Sequence, residues 1–336
     1  MNARNSGAAK KRIGIVGVGN IGASILRGLL AAAEPGAAEE GARIFLSDVD
    51  KERLGFFSSS RVVVCESNAE VAEKSEVVIL AVKPNDVRKV VEEISPFLSG
   101  GQKVLISVAA GVPTSAVENW FAEAEAEVGV EAGVGVGVEA GVGVGVEAEA
   151  GVEAEAGVEA GVEGREGARV KVVRVMPNVG ARVREAVSAV CRGKYATEED
   201  EELAKWIFSA VGTVHTVKES ELDVVTGLSG SGIAFFAEVL DAVAAGGVHE
   251  GLPYELSLAI AAETAVGAAR LVLAGEKPSA IKEMTASPGG TTVRGLYALE
   301  SRAVKAAMMM AVIAATRRAR EIAEQKSRQI KNQNSK

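Results

Sequence analysis

The sequence predicts an α/β domain followed by an all-α domain. Three observations carry this. Short apolar strands alternate with amphipathic helical patterns from Lys11 to Val217. A glycine-rich turn joins the first strand directly to the first helix. From Glu221 onward the strand pattern stops and long apolar helices take over. The 336 residues suit about two such domains, and 48% hydrophobic content is ample for a core.

The first strand is Lys11 to Val16, and it runs into Gly17-Val18-Gly19-Asn20-Ile21-Gly22. Ile21, Ile25, Leu26, Leu29 and Leu30 then recur at helical spacing. Strand, G-x-G-x-x-G and helix in that order form the Rossmann dinucleotide fingerprint. Gly17 permits the tight turn, Gly19 lets a pyrophosphate approach the backbone, and Gly22 lets the helix pack on the strand. The free N–H groups of the helix start, at Asn20 and Ile21, then face the phosphates.

The second strand, Arg43 to Ser47, ends at Asp48. An acid there accepts hydrogen bonds from the adenosine ribose and disfavours a 2′-phosphate, which reads as NAD(H). Equally, Asp48 reads as a turn residue in Ser47-Asp48-Val49-Asp50. Further strands are expected at Val62–Val64, Val77–Val82 and Lys103–Val108, with a helix over Val87–Leu98. Ligands sit beyond the carboxyl ends of such strands. Ala81-Val82-Lys83-Pro84 and Ala109-Ala110-Gly111 therefore either face a cofactor or are plain strand exits.

Residues 122–164 contain only Ala, Glu, Gly and Val, with 11 Glu and no Lys or Arg. The net charge of −8 thus splits into −11 here and +3 over the remaining 293 residues. Strict alternation is formally a strand signal, but 11 Gly and no aromatics leave little area to bury. A disordered surface insert is expected; the competing reading is a Val-Gly strand that pairs between chains.

After the insert come a strand at Val170–Val175, the turn Met176-Pro177-Asn178, a helix at Glu198–Val211 and a last strand at Val214–Val217. The helical half follows, with Ile233–Ala245, Tyr254–Leu273 and Ala298–Ile322. Helices apolar on most faces need burial, so a dimerisation domain is expected. Met308, Met309 and Met310 read as core, and His249 as an exposed turn residue. Thr285-Ala286-Ser287-Pro288-Gly289-Gly290-Thr291-Thr292 either caps the next helix or offers N–H groups and hydroxyls to a carboxylate.

Two cysteines, Cys65 and Cys191, make no disulfide framework, and two histidines exclude a His-rich metal site. The acidic total argues against nucleic acid. A polar basic start and no apolar run of membrane length lead to an expectation of neither a leader nor a span, and of a cytoplasmic protein.

These motifs together resemble the pyrroline-5-carboxylate reductase family. The resemblance covers Arg12 to about Gln325 except the insert. It rests on Gly17–Gly22, Ala81–Pro84, Ala109–Val112, Arg174–Asn178, Thr226–Gly232, Asp241-Ala242 with Gly246–Val248, and Ser287–Thr292. It implies a Rossmann domain over 11–219 and a helical dimerisation and substrate domain over 220–326; a disordered tail is expected over 327–336. It implies hydride transfer from NADP(H) or NAD(H) to the C=N bond of 1-pyrroline-5-carboxylate, giving proline, in a homodimer whose further association would form a ring. Ser287 and Thr291 would be catalytic, with Thr291 reaching the ring nitrogen. Gly289, Gly290, Thr291, Thr292 and Asn178 would bind substrate, and Asn68 would contact the cofactor beside Ala81, Val82, Lys83, Pro84, Ala109 and Ala110. No metal is implied.

The chain departs from the family at Ile233-Ala234-Phe235, where Pro-Ala-Tyr is common, at Val179-Gly180, where Thr-Pro is, and at Asp48-Val49-Asp50, where Asn-Arg or Ser-Arg is. The last leans towards NAD(H). Two other readings remain: a β-hydroxyacid dehydrogenase-like enzyme, which would need a Lys that Gly232–Gly246 lacks, and a non-catalytic dinucleotide-binding dimer.

Overall fold

The computed structural model describes residues 11–32, 42–57, 59–98, 102–131 and 169–333. Among these residues eight strands form one sheet: β1 (Arg12–Val16), β2 (Arg43–Ser47), β3 (Val62–Val64), β4 (Val77–Leu80), β5 (Val104–Ser107), β6 (Lys171–Met176), β7 (Ala186–Arg192) and β8 (Gly212–Thr216). Their order is β3-β2-β1-β4-β5-β6-β7-β8. Pairs from β3 to β6 are parallel; β7 is antiparallel to β6, and β8 is parallel to β7. The order reverses at β1, between β2 and β4. That switch point opens a crevice at the carboxyl ends of the strands.

The central strands β1, β4 and β5 are rich in Val, Ile and Leu because both faces are covered. On one face Ile13, Ile15, Ile44 and Ile106 pack against α1 (Asn20–Ala31). The same layer takes in Ile207 and Phe208 of α6 (Glu198–Ser209). On the other, Val78, Leu80 and Leu105 meet α3 (Asn68–Lys74), α4 (Val87–Ile94) and α5 (Thr114–Glu131). The short α2 (Lys51–Gly55) follows β2, and Asp50 caps it. Pro96 ends α4 early: Ser95–Phe97 is a 3-10 turn.

Strand β7 has no counterpart in the sequence reading. Its Ala-Val-Ser-Ala-Val-Cys-Arg has few strong strand formers, and Arg184, at φ 61°, reverses the chain just before it.

The helical half contains α7 (Leu222–Val225), a π-helical turn at Thr226–Gly230, α8 (Gly232–His249), α9 (Tyr254–Leu273), α10 (Pro278–Thr285), α11 (Thr291–Ser301) and α12 (Val304–Gln333). The single helix expected over Ala298–Ile322 is two helices, broken at Ala303, whose φ is 52°. The tail expected over 327–336 is helical to Gln333. The insert also begins later than its composition suggests. Its first residues, 122–131, continue α5. Ala-Glu repeats are strong helix formers, Ala124 is buried, and Arg88 pairs with Glu123 at 3.2 Å. Residues 132–164 lie outside the described residues.

In a single chain, α8 and α9 bury few residues, and Phe236, Val243, Leu256 and Ile260 are exposed. Met309 and Met310, expected in the core, are more than half exposed. Among the described residues, Glu219–His249 and Tyr254–Leu273 are long and apolar enough to cross a membrane by length and composition alone. Glu238, Asp241 and Glu263 interrupt them, so a search for uninterrupted apolar runs passes over both.

Candidate active site

The glycine turn is built as its fingerprint requires. Gly17 has φ +92°, and a Cβ there would lie 2.7 Å from the Ala81 carbonyl oxygen. A Cβ on Gly22 would overlap the Gly17 carbonyl. Gly19 faces open space within 4 Å, and no side chain caps α1. The start of α1 therefore presents free N–H groups to an open surface, which suits a pyrophosphate. Asn20 and Ile21 are its first two residues.

Hydrogen bonds draw the other strand exits around this turn. Gly17 N–H donates to the Ser47 carbonyl at 2.9 Å, and Ala81 N–H to the Val16 carbonyl at 2.8 Å. Asp48 Oδ2 accepts from Val18 N–H at 2.6 Å and Oδ1 from Asp50 N–H at 2.8 Å. Asp48 is thus a turn residue in fact, and its two remaining lone-pair sites are free to accept from a ribose. Ser47 Oγ donates to Asn68 Oδ1, and Asn68 Nδ2 to Glu93 Oε2, both at 2.7 Å. Val82 and Pro84 are half-buried, whereas Lys83 is exposed. Ala109 is buried and Ala110 exposed. At Gly111, φ +72°, the chain turns beneath Ile322 and Lys326 of α12.

The junction between the halves is polar. Glu219 accepts from Thr114 N–H and Oγ1–H, both at 2.8 Å, and from the buried Arg174 at 3.1 Å. Asn178 is fully engaged. Its Oδ1 accepts from Gly180 N–H at 3.0 Å and Val187 N–H at 3.3 Å, and its Nδ2 donates to Ser229 Oγ at 2.9 Å. Asn178 therefore pins the exit of β6 to the π-helical turn. The Gly180 departure makes this possible, since a Pro there would have no N–H to donate. The turn itself lies against α12, where Gly227 meets Thr316 without room for a Cβ. Burial, then the charge of Glu219, pushes the Cys191 thiol up to about 12, so it stays protonated at neutral pH.

In the loop before α11, Gly290 N–H donates to the Ser287 carbonyl at 2.9 Å, and Gly289 has φ +73°. No side chain caps α11, so the capping alternative fails. Thr291 and Thr292 are its first two residues, and Thr291 is exposed. Backbone N–H groups and hydroxyls are left together at a helix start, an arrangement that suits a carboxylate. This loop and the glycine turn belong to different halves of the chain. His249 is exposed and pairs with Glu250. Among the described residues no cluster of metal-ligating side chains occurs.

Sequence reasoning missed Glu93, Ser47, Glu219 and Arg174. Glu93 is one of two adjacent acids on α4, and nothing in its pattern distinguishes it from Glu92.

A glycine turn of this geometry on a doubly wound sheet, joined to an apolar helical domain, defines a dinucleotide-dependent oxidoreductase fold with a dimerisation module. Two family models match it: NADP oxidoreductase, coenzyme F420-dependent, over residues 12–111, and pyrroline-5-carboxylate reductase dimerisation over residues 219–322. The chain is 36% identical over 317 residues to a pyrroline-5-carboxylate reductase of Methanosarcina acetivorans, covering 93% of this chain and 98% of that protein. It is 34% identical to the Arabidopsis thaliana enzyme of the same name, over 93% and 96% of the two chains. The chain belongs to the pyrroline-5-carboxylate reductase family. Solved structures agree: the Coxiella burnetii reductase superposes with a TM-score of 0.73 at 26% identity over 93% of this chain and 98% of that one. The Plasmodium falciparum reductase with NADP bound superposes at 0.68 and 25% identity over 94% and 99%.

Proposed function

We propose that the chain reduces 1-pyrroline-5-carboxylate to L-proline, the last step of proline biosynthesis. One observation carries the reading: the uncapped start of α1 at Gly19 and the uncapped start of α11 at Gly290 supply two anion sites, one per half of the chain. The first fits a dinucleotide pyrophosphate, the second a ring carboxylate. When bound, the reduced nicotinamide supplies the hydride.

The protein's own part is mainly alignment. The N–H groups at Thr291 and Thr292 hold the carboxylate, and Ser287 and Gly289 shape the loop around it. A protonated imine is already electrophilic, so no metal need activate it. Thr291 Oγ1 is the hydroxyl that holds or relays the proton at the ring nitrogen.

The exposed faces of α8 and α9 support a homodimer, in which a second copy covers them and the helical loop of one chain is brought to a dinucleotide crevice. Covered in this way, the two apolar helices need no membrane, in keeping with a cytoplasmic location. The charge of Asp48 at the exit of β2 favours NAD(H) over NADP(H).

Oxidation of NADH and of NADPH in the presence of 1-pyrroline-5-carboxylate tests the reading. Turnover is expected with both, faster with NADH at limiting cofactor. A folded dimer that binds dinucleotide but turns over neither would overturn it. Thr291→Ala is expected to lower kcat about 100-fold with an unchanged melting temperature, because Thr291 is exposed. Unchanged kinetics would remove Thr291 from the mechanism.

A further inference from the structure

We propose that Glu93 is a positioning residue for the dinucleotide, acting through Asn68. The proposal rests on the reading that Asn68 contacts the cofactor.

Asn68 is the first residue of α3, behind its cap Ser67. Its carboxamide spans two partners, the Ser47 hydroxyl at the end of β2 and the Glu93 carboxylate on α4, each at 2.7 Å. A carboxamide is nearly symmetric in shape, so something must decide which end is oxygen. Ser47 cannot decide, because a hydroxyl donates or accepts equally well. A carboxylate only accepts. Glu93 therefore fixes the amide nitrogen on its own side and leaves the oxygen for Ser47. A flipped Asn68 would set its oxygen against the carboxylate and lose that bond.

Ser47 in turn is locked. It is buried, and its carbonyl takes the Gly17 N–H of the dinucleotide turn. The chain of contacts thus runs from the glycine turn through Ser47 and Asn68 to Glu93. With both bonds made, Asn68 keeps one N–H and one lone pair for a ligand, in fixed positions. Without Glu93 the amide samples both orientations, and only a fraction of molecules present the donor where the cofactor needs it. Such a fraction raises the apparent dissociation constant and leaves the chemical step alone.

Steady-state kinetics on the full-length protein tests this with Glu93→Gln, Asn68→Ala and the double variant. A glutamine accepts or donates and so no longer fixes the amide. Glu93→Gln is expected to raise KM for NADH about two- to tenfold, with kcat and the KM for 1-pyrroline-5-carboxylate unchanged. In the Asn68→Ala background the same substitution should add nothing, because its route is gone. If Asn68→Ala raises KM and Glu93→Gln does not, the assignment of Glu93 is wrong while the role of Asn68 stands. If Asn68→Ala leaves KM unchanged, the reading of Asn68 fails and takes the proposal with it. An equal effect of Glu93→Gln in both backgrounds would mean that its charge acts directly, which also overturns the proposal.

Discussion

Asp48 Oδ2 accepts the Val18 N–H at 2.6 Å, tying the exit of β2 to the middle of the glycine turn. One side chain therefore braces the turn, and on the proposed reading its negative charge also meets the adenosine ribose. Replacing it with Ser removes the charge and at least one of the two bonds it now accepts. The KM for both cofactors is expected to rise, and that for NADH more. The ratio of kcat/KM for NADPH to that for NADH is expected to increase about five- to tenfold, the size of one like-charge contact at a partly solvated site. Parallel assays with the two cofactors measure it. An unmoved ratio would leave Asp48 as a brace only.

Asn178 invites the opposite expectation. The family resemblance gives it to the substrate, yet Gly180, Val187 and Ser229 already occupy both ends of its carboxamide. Asn178→Ala strands two backbone donors at a buried joint. It is expected to destabilise the protein by about 1–3 kcal/mol, seen as a lower urea midpoint, with little change in KM for the imine. A raised KM at unchanged stability would return Asn178 to the substrate site.

Glu201 is a buried carboxylate with several partners. Burial pushes its carboxyl up, but Lys205, Thr216 and Arg192 outweigh burial and hold it below the ordinary range. A group depressed in the folded state stabilises it above the unfolded value and loses that contribution as pH falls through the folded one. The wild type should therefore lose stability on acidification from the ordinary glutamate range downward, and Glu201→Gln should lose less over the same window. At neutral pH the variant is expected to be about 1–3 kcal/mol less stable. Denaturation midpoints across that range decide it. Parallel pH profiles for the two proteins would show that Glu201 contributes nothing to the acid limb.

The cofactor half was legible because its signals are local. Gly17 and Gly22 fall where the backbone has no room for a Cβ, Gly19 leaves the turn open, and strands such as Val77–Leu80 are buried on both faces, so composition alone marks them. Strand β7 was not, because Ala186–Arg192 is held by its neighbours and not by its own residue types. The helical half was legible as helix but not in its joints. The break at Ala303 occupies a left-handed conformation that no Gly or Asn announces. Candidate site residues supplied by backbone could be found from glycine spacing. Those supplied through side-chain bonds, such as Glu93 and Glu219, depend on pairings 25 and 105 residues apart and leave no pattern in the sequence.

The boundary of the acidic insert gives a last prediction. Composition places its start at residue 122, but the helix α5 runs to Glu131. Phe121 and Ala124 are buried there, and Glu123 binds Arg88. Two deletions should therefore behave differently. Removing 132–164 leaves α5 whole and keeps residues 165–170 to reach β6, a span of up to about 20 Å. It is expected to preserve folding and reductase activity while raising the isoelectric point, since seven of the eleven glutamates of the insert go with it. Removing 122–164 also strips the last turns of α5 from the sheet and is expected to lower the melting temperature, with Ala124 and the Glu123–Arg88 ion pair gone. Thermal melts and turnover of the two deletion proteins measure the difference. Equal stability of both would mean that the extension of α5 contributes nothing, and that the insert starts where its composition does.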